Sequence, residues 1–334
     1  MPAVSLRQIA RACGVSVATA SRALGGHKAV HGETRAAILA AARRQGYDRN
    51  ALVGQLMSHV RGARAQRFLG NLALIHVPSP GQPRLLPAHR RIIAGARERA
   101  RALGFHLADF SVSRDGLDAA GYARMLRARG THGVIFIYTE PTGALADFPW
   151  AGFSAIGIDY GQREPLLHTV CLDHYLALSG ALARLQAAGY ERIGLFLEQF
   201  KDERIGHKWS AAFTAFQRAS RAIGQVPPLI RPRLAEAEFR RWHRAHRPDL
   251  VVGHLDAAVG WLPHRARTDF FSLNWNARTR PCAGLDLRME LQGAVAAETL
   301  IAQLQRGERG LPAEPRTIMV KAAWVGGPTL RRET

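Results

Sequence analysis

From Asn71 onward, short apolar runs alternate with amphipathic stretches of helical period, and this alternation constrains the fold more than any other feature of the chain. Leu72–Val77, Phe105–Phe110, Gly133–Tyr138 and Ser154–Ile158 read as strands, with helices expected at His89–Leu103 and near Gly121–Ala128. A second series runs through strands at Thr169–Leu172, Ile193–Leu197, Leu250–Gly253 and Phe270–Leu273, with helices at His174–Ala188 and His207–Ala222. A long helix at Leu287–Arg306 and a strand at Arg316–Val320 follow. Strands separated by helix-length connections pair in parallel, with helices covering both faces of the sheet. Two such units in succession leave a ligand crevice between them, at the carboxyl ends of their strands.

Several chemistries find no carrier. The 334 residues allow two or three domains, and no window approaches the ~18 consecutive apolar residues of a membrane helix. Met1–Arg7 lacks the basic-then-apolar layout of a signal peptide, so a cytoplasmic protein with no membrane partner is expected. Cys13, Cys171 and Cys282 lie far apart and form neither a disulfide framework nor a cysteine zinc site. No Gly-x-Gly, phosphate loop or Gly-x-Ser-x-Gly elbow occurs. No cofactor, no metal and no catalytic residue is therefore expected. His243 and His246, three apart on a helix, read as a solvated face.

The first sixty residues are different in kind. Ser5-Leu6-Arg7-Gln8 reads as a capping box that opens a helix, and Gly14 can supply the positive φ of a tight turn. Ser16 then caps a second helix to about Leu24, and a third runs from about Gly32 to Gln45, stopped by Gly46. Two short helices joined by a glycine turn, completed by a third, form a helix-turn-helix unit, although any small helical bundle reads similarly. Of the net charge of +20, residues 1–67 carry +9, from eleven Lys and Arg against Glu33 and Asp48. An excess of this size favours a polyanion, though genome composition alone could also produce an arginine-rich, lysine-poor chain.

The strings Val4–Ala10, Gly14-Val15-Ser16, Thr19–Leu24, Val30 and Thr34-Arg35 resemble the N-terminus of the LacI/GalR family of bacterial transcriptional repressors. Later segments agree with its two-lobed, periplasmic-binding-protein-like core: Val170–Asp173, Ala188–Leu195, Gly284–Asp286, Gly293, Gly307-Glu308 and Trp324–Gly327. The resemblance implies an all-α head at 1–46, a hinge helix at 47–60, a basic linker at 61–70 and an α/β core at 71–330. The core would divide into lobe 1, about 71–165 plus 287–310, and lobe 2, about 166–286 plus 311–330.

Residue by residue, the resemblance implies a homodimer on a pseudo-palindromic double-stranded operator. Arg22 would fork onto guanine, and Val17 and Ala18 would make apolar contacts in the major groove. Ser5, Ser16, Thr19, Ser21 and Thr34 would meet phosphates, with Leu6 and Asn50 beside them. His31 stands where the family usually has serine, which weakens a cap or phosphate contact there. Leu56 matches the leucine that wedges into the central base step, while Gly54 costs that helix about 1 kcal/mol.

For a small-molecule effector the resemblance points to Ser79, Tyr138, Thr139, Arg204, Trp209, Asp256, Asn274, Trp275 and Arg288. Sugar-binding relatives carry arginine where this chain has Trp209, and Asp or Asn where it has Arg288. A tryptophan face suits a pyranose and the two arginines suit a carboxylate, so a sugar or sugar acid is expected. The alternative is a sugar-binding module or enzyme that shares only the two-lobed core, and a non-specific architectural DNA binder is a third reading.

Overall fold

The computed structural model describes residues 6–24, 30–45, 68–78, 85–112, 116–138, 145, 147–160, 164–220, 225–262, 267–275 and 281–332. They divide into two compact units, residues 1–65 and 66–334. The first holds α1 (Leu6–Ala12), α2 (Val17–Leu24) and α3 (Gly32–Arg44). Ile9, Ala10, Ala20, Ala23, Val30, Ile38 and Ala42 form its core, a small one made largely of alanine methyl groups. Gly14, at φ +63°, makes the turn between α1 and α2 that a side chain would strain.

The second unit contains two six-stranded sheets. The elements of its first half are β1 (Gly70–Val77), α4 (Pro87–Ala102), β2 (Phe105–Ser111), α5 (Ala119–Ala128), β3 (Gly133–Tyr138), β4 (Ser154–Ile158) and β5 (His168–Leu172). Then come α6 (His174–Ala187), β6 (Ile193–Glu198), α7 (Gln199–Glu203), α8 (Lys208–Ala219), β7 (Leu229–Arg231) and α9 (Glu236–His246). The chain continues with β8 (Leu250–Gly253), β9 (Asp269–Ser272), β10 (Ala283–Asp286), α10 (Met289–Arg306), β11 (Thr317–Val320) and β12 (Ala323–Val325).

Sheet 1 runs β11-β5-β4-β3-β1-β2 and sheet 2 runs β12-β10-β9-β8-β6-β7. All pairings are parallel except β10 with β12. The expected lobe boundary shifts accordingly. His168–Leu172 and Thr317–Val320, assigned from sequence to lobe 2, belong to sheet 1, where β5 pairs with β4 on one side and β11 on the other. An apolar run such as Val170-Cys171-Leu172 suits either sheet, and only its pairing decides. The short strands β7, β10 and β12, of three or four residues each, are not among those expected from the sequence.

Helices cover both faces of each sheet. Along β1, Leu72 and Leu74 pack beneath α4 and α10, while Ala73, Ile75 and Val77 pack beneath α5. This two-residue alternation recurs in β3 and β4. The long helix α10 lies on sheet 1 with Ala296, Ala297, Leu300 and Ile301 in the core beside Ile92, Ile93 and Ala96 of α4. Across sheet 2, α6 and α8 bury Leu178, Leu182, Trp209 and Phe213 on one face, and α9 buries Phe239 and Trp242 on the other. Among the described residues no helix is long and apolar enough to cross a membrane.

Candidate functional sites: a helical head and an interlobe seam

In the head, Ser16 sits ahead of α2 and its Oγ accepts the backbone N–H of Thr19 at 3.1 Å, as an N-cap does for the third residue of a helix. The two hydroxyls are 2.8 Å apart. The cap fixes the first turn of α2 and leaves Val17 42% exposed, an apolar side chain held at a helix start in solvent. His31 is exposed, and its carbonyl accepts the Arg35 N–H at 2.9 Å to open α3. Thr34 is half-buried. Leu6 lies on α1, and Ala18, Ser21 and Arg22 on α2, with side chains outside the described set. Ser5, Asn50, Leu56 and the hinge at 47–60 lie outside the described residues.

The second site lies where the two sheets end against each other. β4 stops at Ile158, and Asp159 follows in the left-handed region at φ +68°, an uncommon conformation that Asp tolerates better than most residues. Its backbone N–H donates to the Val170 carbonyl at 2.9 Å, which ties it to the adjacent strand. The Asp159 carboxylate accepts a charged hydrogen bond through Oδ2 from Nη2 of Arg204, in the turn after α7 on the sheet 2 side. This ion pair spans the two lobes with side chains only 14% and 22% exposed. Charge-assisted bonds of this kind are about twice as strong as neutral ones.

Three histidines, His89, His174 and His254, lie within electrostatic reach of the pair, and a fourth, His76, packs on His89. His76 of β1 and His89 of α4 lie with ring centroids 5.1 Å apart on the sheet 1 side. His174 opens α6, where the chain leaves sheet 1 for sheet 2, and His254 follows β8. Trp209 of α8 sits between His174 at 4.8 Å and His254 at 5.7 Å, edge to face with each. His174 Nδ1 lies 3.1 Å from the Leu172 carbonyl, which can only accept, so Nδ1 is assigned the proton and Nε2 is left as an acceptor. Nδ1 of His89 and Nδ1 of His254 are buried without a hydrogen-bond partner.

Burial governs the charges here. It pushes His89 down to about 4, reinforced by His76 and Arg204 against the pull of Asp159. It also pushes His174 down to about 4, although Asp159 favours its cation. His254 falls well below its ordinary value, by burial first and then by Lys201, His174 and Arg204. For Asp159, burial alone would raise the carboxyl, but Arg204, His174 and the Tyr160 N–H outweigh it and hold it below the usual carboxylate range. At neutral pH the seam is one ion pair set among neutral imidazoles.

Of the residues that the resemblance singled out, the structure brings Arg204 and Trp209 together in this seam. Trp209 is 1% exposed with its ring flanked by two histidines, so it offers no open stacking face here. Tyr138 points into the other layer of sheet 1, packed on Phe136, where burial raises its phenol. Arg288 is exposed at φ +49°, its backbone N–H donating to Asp286 at 2.9 Å. Asn274 is exposed, and Trp275 packs with the α9 face of sheet 2. Asp256 starts a short 3-10 turn, its side chain outside the described set, and Ser79 and Thr139 lie outside the described residues. His243 is buried rather than solvated, its Nε2 2.9 Å from the Thr268 hydroxyl, because Phe239 and Trp242 turn that face of α9 onto the sheet.

The sequence reading missed Asp159, His76, His89, His174 and His254. It also missed Arg91, which grips Glu290 of α10 through Nε and Nη2 at 2.7 Å each and reaches Asp286 at the end of β10 at 3.3 Å. A histidine inside an apolar run, and ionisable residues just past strand ends, were the available signals.

Residues 5–50 match the family described as bacterial regulatory proteins, lacI family. Over 245 residues, 72% of this chain and 70% of the relative, the sequence is 25% identical to an uncharacterized HTH-type transcriptional regulator, YkvZ of Bacillus subtilis strain 168. The fold is similar to that of the lac repressor dimer bound to operator and the anti-inducer ONPF, at TM-score 0.54 and 18% identity, covering 98% of this chain and 99% of that one. It is likewise similar to the transcriptional regulator CelR in complex with cellobiose, at TM-score 0.55 and 17% identity, with the same coverage of each chain.

Proposed function

We propose that this chain, whose residues 5–50 match the lacI family of bacterial regulatory proteins, is a repressor, not an enzyme, which binds a pseudo-palindromic operator as a homodimer. The reading is carried by the head: a helix-turn-helix whose second helix is capped by Ser16 and starts with an exposed Val17. Two such heads related by a two-fold axis read two half-sites. Arg22 reads a guanine, Val17 and Ala18 meet apolar base edges, and Ser16, Thr19, Ser21 and Thr34 position the phosphates. Leu6, His31, Asn50 and Ser5 make further contacts to the DNA, and Leu56 wedges the centre of the operator.

A small molecule, a sugar or sugar acid, sits between the lobes at Arg204 and changes how they meet. It thereby shifts the population between DNA-binding states. The ion pair joining the lobes supports this, because a ligand that replaces it acts on both at once. The fold shared with a regulator solved with cellobiose supports the chemical class.

Selection of random duplex DNA by the full-length protein at about 0.15 M salt tests the reading. Enrichment of a palindrome with a fixed centre is expected. Arg22→Ala then relaxes preference at one symmetric position by about 1–3 kcal/mol and leaves the rest of the motif intact. Binding without any preferred sequence, falling steeply with salt, would instead make the protein a non-specific DNA binder.

A further inference from the structure

We propose that the occupant of the interlobe seam carries an oxyanion, a carboxylate or phosphoryl group, which takes Arg204 over from Asp159. The inference rests on reading this seam as the effector site and specifies what the effector must bear. Asp159 occupies the position of the ligand's anionic group and acts as its internal competitor.

The charges facing one another lead to this assignment. On the sheet 2 side, Arg204 is accompanied by Lys201 of α7 and Lys208 at the start of α8, whose Nζ lies 5.1 Å from the centre of the Tyr160 ring. The other nearby carboxylates are engaged in local structure. Asp202 accepts the N–H groups of Trp209 at 3.1 Å and Ser210 at 3.2 Å and so caps α8. Asp173 caps α6 through the Leu176 N–H at 3.0 Å, and Glu198 pairs with Lys201 at 2.9 Å. Asp159 alone among the described carboxylates answers Arg204, and through a single amine, Nη2. A guanidinium holds a carboxylate or phosphate best with two parallel N–H bonds, so one-pronged pairing leaves an incoming oxyanion a better geometry than Asp159 has.

The remainder of the seam suits the body of such a ligand. Nδ1 of His89, a residue 2% exposed, and Nδ1 of His254 are buried with nothing to bond. A neutral imidazole pairs one donor with one acceptor, which matches a hydroxyl. An oxyanion on Arg204 with hydroxyls on these two rings satisfies both buried nitrogens and the second prong of the fork. A neutral polyol would leave Arg204 on Asp159 and so would not separate the lobes.

Calorimetric titration of the full-length protein with D-gluconate, D-glucuronate, D-galacturonate and D-glucose 6-phosphate, against D-glucose and D-galactose, tests this. At least one oxyanion is expected to bind, ten- to a hundredfold more tightly than the neutral sugars, as charged hydrogen bonds imply at roughly 1.5–3 kcal/mol. The sugar acids and the sugar phosphate separate carboxylate from phosphoryl recognition. Asp159→Asn, which keeps a residue tolerant of the left-handed backbone, removes the competitor and tightens the oxyanion about tenfold. Arg204→Lys keeps the charge without the fork and weakens it about tenfold. Weaker oxyanion binding by Asp159→Asn would overturn the proposal, by making Asp159 a direct ligand of the effector. Equal binding of glucose and gluconate, or no binding by any of the six, would overturn it too. In either case a selected operator leaves the repressor reading standing, whereas its absence removes that reading independently.

Discussion

The two lobes are built alike and face each other unlike. Around their first five strands the orders correspond, β2-β1-β3-β4-β5 against β7-β6-β8-β9-β10, and each takes a sixth strand from the end of the chain. Yet the first lobe brings the Asp159 carboxylate to the seam and the second brings the Arg204 guanidinium with two lysines nearby. The difference lies in the few residues after the strand ends, which the sheets position but do not specify. One scaffold used twice thus carries opposite charges on its two copies where they meet. The helical layers differ as well. On sheet 1, α4 and α10 touch backbone to backbone, while on sheet 2, α6 and α8 meet through Leu178, Leu182, Trp209 and Phe213.

That packing contrast gives the largest expected effect. A Cβ on Gly293 would stand 1.9 Å from the Ile92 carbonyl oxygen, and one on Gly95 would stand 1.9 Å from that of Glu290. Backbone cannot yield as a flexible side chain can, so the helices have to part. Gly293→Ala should cost about 3 kcal/mol, the upper end of ordinary overpacking, and lower Tm by roughly 6–10 °C. A melting point within about 2 °C of the parent would mean that the two helices are not in contact there, and the contrast between the layers would fall.

Acid should act next, through the seam. His89 and His174 titrate at about 4 in the fold, against 6.5 as the ordinary value. A histidine with a lowered folded pKa binds fewer protons folded than unfolded, so its contribution is complete above 6.5 and is lost as pH falls toward 4. Asp159, held low by Arg204, adds a loss of the same sign at still lower pH. Each histidine should contribute on the order of 2 kcal/mol to the decline between pH 7 and pH 4. The double variant His89→Gln, His174→Gln should flatten that decline. An unchanged slope would place the acid-sensitive groups outside the seam.

The scaffold was legible for a simple reason. A strand covered by helices on both faces must be largely apolar, and runs such as Leu72–Val77, apolar but for His76, cannot be hidden otherwise. Which sheet takes a strand is not a local property, and so the run at His168–Leu172 reads as part of lobe 2 although it pairs in sheet 1. The seam is legible in part: the resemblance names Arg204 and Trp209, which meet there, whereas Tyr138, also named, follows the period-two alternation of β3 into the opposite layer. Asp159 escaped because a carboxylate after a strand reads as an ordinary turn residue until its partner 45 positions later comes into view. Ionic sites between lobes are assembled from residues far apart in sequence, so no short-range pattern announces them.

The smallest effect tests the same contrast from the other side. Gly180 lies in the middle of α6, exposed, and a Cβ there would meet nothing within 4 Å. Its φ is not in the left-handed region, so no conformational need keeps a glycine at that position. Glycine in a helix interior costs roughly 0.5–1 kcal/mol relative to alanine, mainly through the freedom it gives the unfolded chain. Gly180→Ala should therefore raise Tm by about 1–3 °C, opposite in sign to Gly293→Ala although the substitution is chemically identical. A loss of stability on Gly180→Ala would show that this face of α6 is covered in the assembled protein. The glycine would then belong to a contact that a single chain does not contain.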